Sequence, residues 1–195
     1  YRSVLRGVLR MAGARPDRPL RFLDKSQTHT VRVGYVNALL APFEPRFVLI
    51  VRNPLVMIWR AASGRGVVGR MPVPIEEKVD IALQHWRNTH RAALAEERAV
   101  RMGVWRYEDV LAEPERRIGE IADFVELGLE PGMMPGPDDR LPFGSPPDAS
   151  VGTKWYPIRP ANNARYLAAV PDWARHRILE GCADLVELFG YRSEP

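Results

Sequence analysis

The stretch RFVLIVRNP, residues 46–54, decides the fold. Residues 47–51 are all apolar, with no polar residue alternating among them. That pattern predicts a strand covered on both faces, as in the centre of a parallel sheet. Asn53 is a favoured helix N-cap, and Pro54 suits the first helical position. NPLVMIWRAAS, residues 53–63, therefore predicts a helix that starts where the strand ends.

Working outward, residues 75–97 predict a long helix with a polar face, carrying His85, Trp86 and His90. VRMGVWRYED, residues 100–109, predicts a second strand ending in Tyr107, Glu108 and Asp109. PERRIGEIADFVELGL, residues 114–129, predicts a helix begun by Pro114 and stopped by Gly128. Upstream, LRFLDK (20–25) is expected as a buried strand, and THTVRVGYVNALLAPF (28–43) as a helix. Residues 3–12 also have helical spacing. The Gly/Pro-rich stretches 64–74 and 130–150 are expected to be irregular, and the last helix spans 171–189 before FGY. There is no internal repeat. Strands alternating with helices imply an α/β fold around a parallel sheet. Such sheets bind ligands at the carboxyl ends of their strands, where Lys25 and Arg52 are expected.

Composition narrows the class. The 195 residues are 46% hydrophobic and 27% charged, the range of a globular domain. A net charge of +4 suits an anionic nucleotide and is too small to argue for a nucleic-acid partner. Lysine occurs only at Lys25, Lys78 and Lys154, so a lysine inside a motif carries weight. One cysteine, Cys182, excludes an intramolecular disulfide and a multi-cysteine metal site, and reads as buried filler. No signal peptide or membrane-spanning run is visible, which fits a cytoplasmic protein without a membrane partner.

Four segments could carry chemistry. Arg52 reaches a strand tip beside the start of a capped helix, whose free N–H groups and dipole favour anions. Its planar fork suits phosphate oxygens. The alternative is an arginine capping the sheet edge in solvent. In LDKSQTH (23–29), Lys25 could offset charge on a leaving group, and His29, with an ordinary pKa of about 6.5, could take a proton from an acceptor. The same residues would also make a plain surface turn. Tyr107 offers an aromatic face to a base, whereas Glu108 and Asp109 read as ordinary acids of a helix start. In VGTKWYP (151–157), Gly152 permits close approach, Lys154 adds charge and Trp155 an aromatic wall. His85 and His90 are not on one helix face and read as solvated or packed. Trp59, Trp86, Trp105 and Trp173 are expected in the core. There is no HExxH, nucleophile elbow or dinucleotide fingerprint.

In order, KSxTH, RFVLIVRNP, a long helix with a tryptophan, Tyr-Glu-Asp before a Pro-started helix, Gly-x-Lys-Trp and a terminal Gly-Tyr resemble the PAPS-dependent sulfotransferase family over residues 20–191. The resemblance implies a three-layer α/β sandwich with a central parallel sheet, related to P-loop nucleotide kinases. It implies one domain that transfers a sulfuryl group from PAPS to a hydroxyl, or to an amine as the lesser alternative, of a small-molecule acceptor. No metal is expected, and a homodimer is left open. Arg52 inherits the donor's 3′-phosphate. The serine usual eight residues later is Arg60 here, with Ser63 nearby. Tyr107 inherits the adenine contact, Lys25 the transferring group, and His29 the role of base. Gly152, Lys154 and Trp155 match a late loop that closes over the nucleotide. The family's Gly/Ser/Thr-rich loop for the 5′-phosphosulfate has no counterpart in the chain, and is expected upstream of Tyr1. The apolar loops 64–74 and 130–150 are expected to shape the acceptor pocket.

Two rivals remain. A kinase-like phosphotransferase would need a Walker loop, which is absent, and a magnesium-holding acid, for which Asp24 is the only candidate. A non-catalytic interaction module would explain the missing loop and Arg60.

Overall fold

The computed structural model describes residues 22–134, 140–142, 155–157 and 161–191, together with Gly7 and Arg10, which are helical. A 3-10 turn, Gln27–Val31, leads into helix α1, Val33–Leu40, and a further turn, Ala41–Phe43. Strand β1 is Arg46–Val51 and helix α2 is Pro54–Ser63. Helix α3, Ile75–Ala95, returns the chain to strand β2, Arg101–Arg106. Helices α4, Tyr107–Ala112, and α5, Pro114–Phe124, follow. Strands β3, Arg140–Pro142, and β4, Trp155–Pro157, precede α6, Ala161–Ala168, α7, Asp172–Gly181, and α8, Ala183–Leu188.

The described fold is mostly helical, with a small parallel sheet. β1 and β2 pair in parallel, from Arg46↔Arg101 to Val51↔Arg106. α2 and α3 form the crossover and pack on each other. β3 and β4 make a separate antiparallel ribbon, Arg140↔Pro157 to Pro142↔Trp155. Residues 130–150 are therefore not wholly irregular. A two-stranded ribbon tolerates proline because each strand bonds on one side only.

The core lies on one face of the parallel pair. Val51, Leu55, Ile58 and Ala62 meet Val79, Leu83 and Trp86 of α3 and Ala174, Ile178, Leu185 and Val186 of α7 and α8. The register puts Val48 and Ile50 on the opposite face, beside Gly103 and Trp105. There the Trp105 ring lies across Gly103, where a Cβ would come within 2.2 Å of it. It packs edge-on to Phe124 of α5, with centroids 5.4 Å apart. This covers the β2 side, while Val48 and Ile50 stay 36% and 43% exposed. The expectation of a strand covered on both faces is met on one.

Four other expectations change. Residues 22–26 are not strand, and Leu23 is 87% exposed. Their side chains make local turn bonds instead, Asp24 with His29 and Ser26 with Thr28, which compete with strand pairing. The helix expected over 28–43 breaks at Arg32 (φ −137°), in a run of β-branched residues that resist helix. The helix expected over 171–189 breaks at Cys182. Trp86 is buried, but Trp173 is 39% exposed in the first turn of α7, with an edge against Trp59.

Cys182 is buried as expected, and its Sγ donates to the Ile178 carbonyl. Burial, helped by Asp184, pushes the thiol up to about 12. His90, buried against Trp86 and Phe189, is held below its ordinary value by burial.

Candidate functional site

The parallel register sets the residues that follow the two strands side by side. Arg52 leaves β1 and Tyr107 leaves β2, and the guanidinium lies 4.7 Å from the Tyr107 ring centroid. At the same edge α2 begins. Its cap is Asn53, whose side chain accepts from the Leu55 N–H at 2.9 Å. The strand tip, the aromatic ring and the helix start expected from the sequence thus converge.

From the far end of the chain, α6 adds Asn163, which is 8% exposed. Its Oδ1 accepts from Arg52 Nε at 3.0 Å and also from Arg52 Nη2. Its Nδ2 donates to Glu108 Oε1 at 2.6 Å. The same Glu108 oxygen accepts the Asn53 backbone N–H at 3.0 Å. Glu108 Oε2 accepts the Tyr191 hydroxyl at 2.8 Å, and that hydroxyl also lies 3.1 Å from the Val51 carbonyl it bonds. Burial, then the neighbouring Glu108 charge, raises the Tyr191 phenol well above its ordinary value, so it stays a donor. One carboxylate therefore ties the ends of both strands to α6 and to the turn after α8. Gly190 (φ +72°) reverses the chain there and brings Tyr191 inward.

Three arginines gather at a second ring. Tyr166 of α6 has Arg60 at 5.1 Å, Arg165 at 5.1 Å and Arg52 at 6.0 Å from its centroid. Among the described residues, no carboxylate forms an ion pair with any of the three. Concentrated positive charge with aromatic faces suits an anion that also has a flat group to stack.

The structure brings Arg52, Arg60 and Tyr107 together. Ser63 points elsewhere: its hydroxyl donates to the Trp59 carbonyl at 2.7 Å. His29 lies in the turn Gln27–Val31, which packs against α3 and α1, and Lys25 lies two residues before that turn. Lys25 is exposed, and His29 Nε2 donates to Asp24 Oδ2 at 2.9 Å, which leaves Nδ1 as the basic nitrogen. Gly152 and Lys154 lie outside the described residues. Trp155 opens β4, and its side chain is likewise outside them.

Glu108, read from sequence as an ordinary acid of a helix start, is instead the hub of the network. Asn163, Tyr166 and Tyr191 were missed. The only sequence signals for them were the helix after Pro160 and the Gly-Tyr that closes the last helix.

No protein-family profile matches the chain, and neither does any curated protein. A search of solved structures finds a sulfotransferase domain from the curacin biosynthetic pathway. The match covers 67% of this chain and 46% of that domain, with a TM-score of 0.51 and 22% sequence identity. The chain thus has a sulfotransferase fold, matched over less than half of that domain's length.

Proposed function

We propose that the chain is the nucleotide-binding part of a sulfotransferase that uses PAPS as donor and a small molecule as acceptor. The observation that carries the reading is Arg52 lying on Tyr107 at the carboxyl ends of two paired parallel strands, beside a capped helix start. An arginine and a ring so close together suit a phosphate and the purine of one nucleotide. Arg60 takes the place of the serine usual in the family and adds charge from the next turns of α2. The finer fold expected is the three-layer sandwich related to nucleotide kinases.

In the transfer, an acceptor hydroxyl oxygen forms a bond to sulfur while the sulfur–oxygen bond to the 5′-phosphate breaks. The products are a sulfated acceptor and adenosine 3′,5′-bisphosphate, and the hydroxyl proton passes to a base. Lys25 would stabilise the leaving phosphate and His29 Nδ1 would take the proton. Gly152, Lys154 and Trp155 would close over the nucleotide. Loops 64–74 and 130–150 would shape the acceptor pocket. Positioning and charge stabilisation carry most of such a reaction.

The test is calorimetric titration of adenosine 3′,5′-bisphosphate into the full-length protein, with ATP as control. Binding is expected to be clearly tighter than ATP and to weaken about tenfold or more in Arg52→Ala. Absence of bisphosphate binding by the folded protein, or a preference for ATP, would overturn the reading.

A further inference from the structure

We propose that Asn163 and Glu108 are positioning residues that fix the Arg52 guanidinium with its outer edge open to an oxyanion. The inference rests on reading Arg52 as a ligand of the donor's phosphate.

A guanidinium presents its donors on distinct edges. Asn163 Oδ1 occupies the edge made by Nε and Nη2. The edge made by Nη1 and Nη2 remains, and it is the one that matches two oxygens of a single phosphate. The Tyr107 ring at 4.7 Å restricts the remaining tilt of the plane. A carboxylate in place of Asn163 would hold the arginine equally well but would cancel its charge. The neutral amide holds it and leaves the charge for the ligand.

Glu108 decides which end of Asn163 faces the arginine. A reversed amide would set its NH2 against the guanidinium and its carbonyl against the carboxylate, losing both sets of bonds. With Nδ2 held at 2.6 Å by Glu108, the carbonyl must face Arg52. Glu108 is held in turn by the Asn53 N–H and by Tyr191, so its own position is set by both strand ends. The negative charge is thus spent on orienting a neutral relay, one residue removed from the cation it serves.

The experiment has two arms on the full-length protein. In the first, the Arg52 Nε–H resonance is assigned by its loss in Arg52→Ala, and its exchange with water is measured by NMR. Exchange is expected to speed up about tenfold or more in Asn163→Ala and Glu108→Ala. It should stay near wild type in Glu108→Gln, whose carbonyl keeps the bonds to Asn53 and Asn163 while its amide donates to the Tyr191 oxygen. In the second arm, adenosine 3′,5′-bisphosphate is titrated in a double-mutant cycle. Asn163→Ala should weaken binding about tenfold in the wild-type background and less than about twofold in Arg52→Ala. Asn163→Ser gives the same readouts if the alanine variant does not fold. Unchanged Nε–H exchange in the Asn163 variants, or equal weakening in both backgrounds, would overturn the proposal. If the wild type binds no bisphosphate, the donor reading falls, and the exchange arm alone decides whether Asn163 and Glu108 orient Arg52.

Discussion

The strand-end cluster around Arg52 and the segment 22–31 around Lys25 are held in place by different means. At the strand ends, Glu108 joins residues separated by 55 and 83 positions in the chain, above a core that includes Val51 and Ile58. In segment 22–31, Ser26 bonds Thr28 two positions away and Asp24 bonds His29 five positions away, and Phe22, Leu23 and Val31 are exposed. The first region is cross-linked by hydrogen bonds between distant segments. The second is held by local turn bonds and by its packing on α3. Under the proposed function this division would suit a transferase: the cluster proposed to bind the donor is held by long-range bonds, and the segment proposed to act on the transferring group by local ones.

The largest expected contrast is in stability. Ile58 is 1% exposed, so Ile58→Ala should cost about 3 kcal/mol, read as a lower urea midpoint. Leu23→Ala should change stability by less than about 0.5 kcal/mol. Equal costs would erase the contrast. Tyr191→Phe comes next. It leaves the Val51 carbonyl and one Glu108 oxygen without their donor, and should cost about 1–2 kcal/mol. Its pH dependence has a definite sign. The phenol's pKa is raised in the folded state, so its contribution is complete below the unfolded value of about 10 and is lost as pH rises above it. The stability gap between wild type and Tyr191→Phe should therefore narrow above about pH 10.

Smaller effects sharpen the picture. Asp24→Asn changes the hydrogen-bond partner of His29 at a side chain that is 38% exposed, and should move stability by no more than about 0.5 kcal/mol. Cys182, buried and held as the thiol, should resist alkylation in the native protein and react on unfolding in urea. Rapid native labelling would mean that α7 and α8 open more readily than the burial of Ile178 and Val186 implies.

What the sequence disclosed and what it concealed divide along the same line. β1 and α2 were legible because Asn53 and Pro54 mark the helix start locally, and Pro114 did the same for α5. That Arg52 and Tyr107 lie at strand ends was legible because each directly follows a strand. Glu108, Asn163 and Tyr191 were not, because their roles exist only after distant segments meet, and nothing near Asn163 in the chain points to Arg52. The described part of segment 20–25, residues 22–25, was misread for the converse reason. Its apolar residues resemble a strand, but the bonds that Asp24 and Ser26 make depend on where residues 27–31 turn.

The bond from Tyr191 to the Val51 carbonyl spans 140 residues. On the ribosome, β1 and α2 emerge before β2, α7 and α8, against which they pack, and a domain generally folds as a unit. The carboxylate of Glu108 then waits for Asn163 and last for Tyr191. A nascent chain stalled before residue 191 would lack the phenol that bonds both the Val51 carbonyl and Glu108. Completion of the strand-end network is thereby tied to nearly the last step of making this stretch of chain.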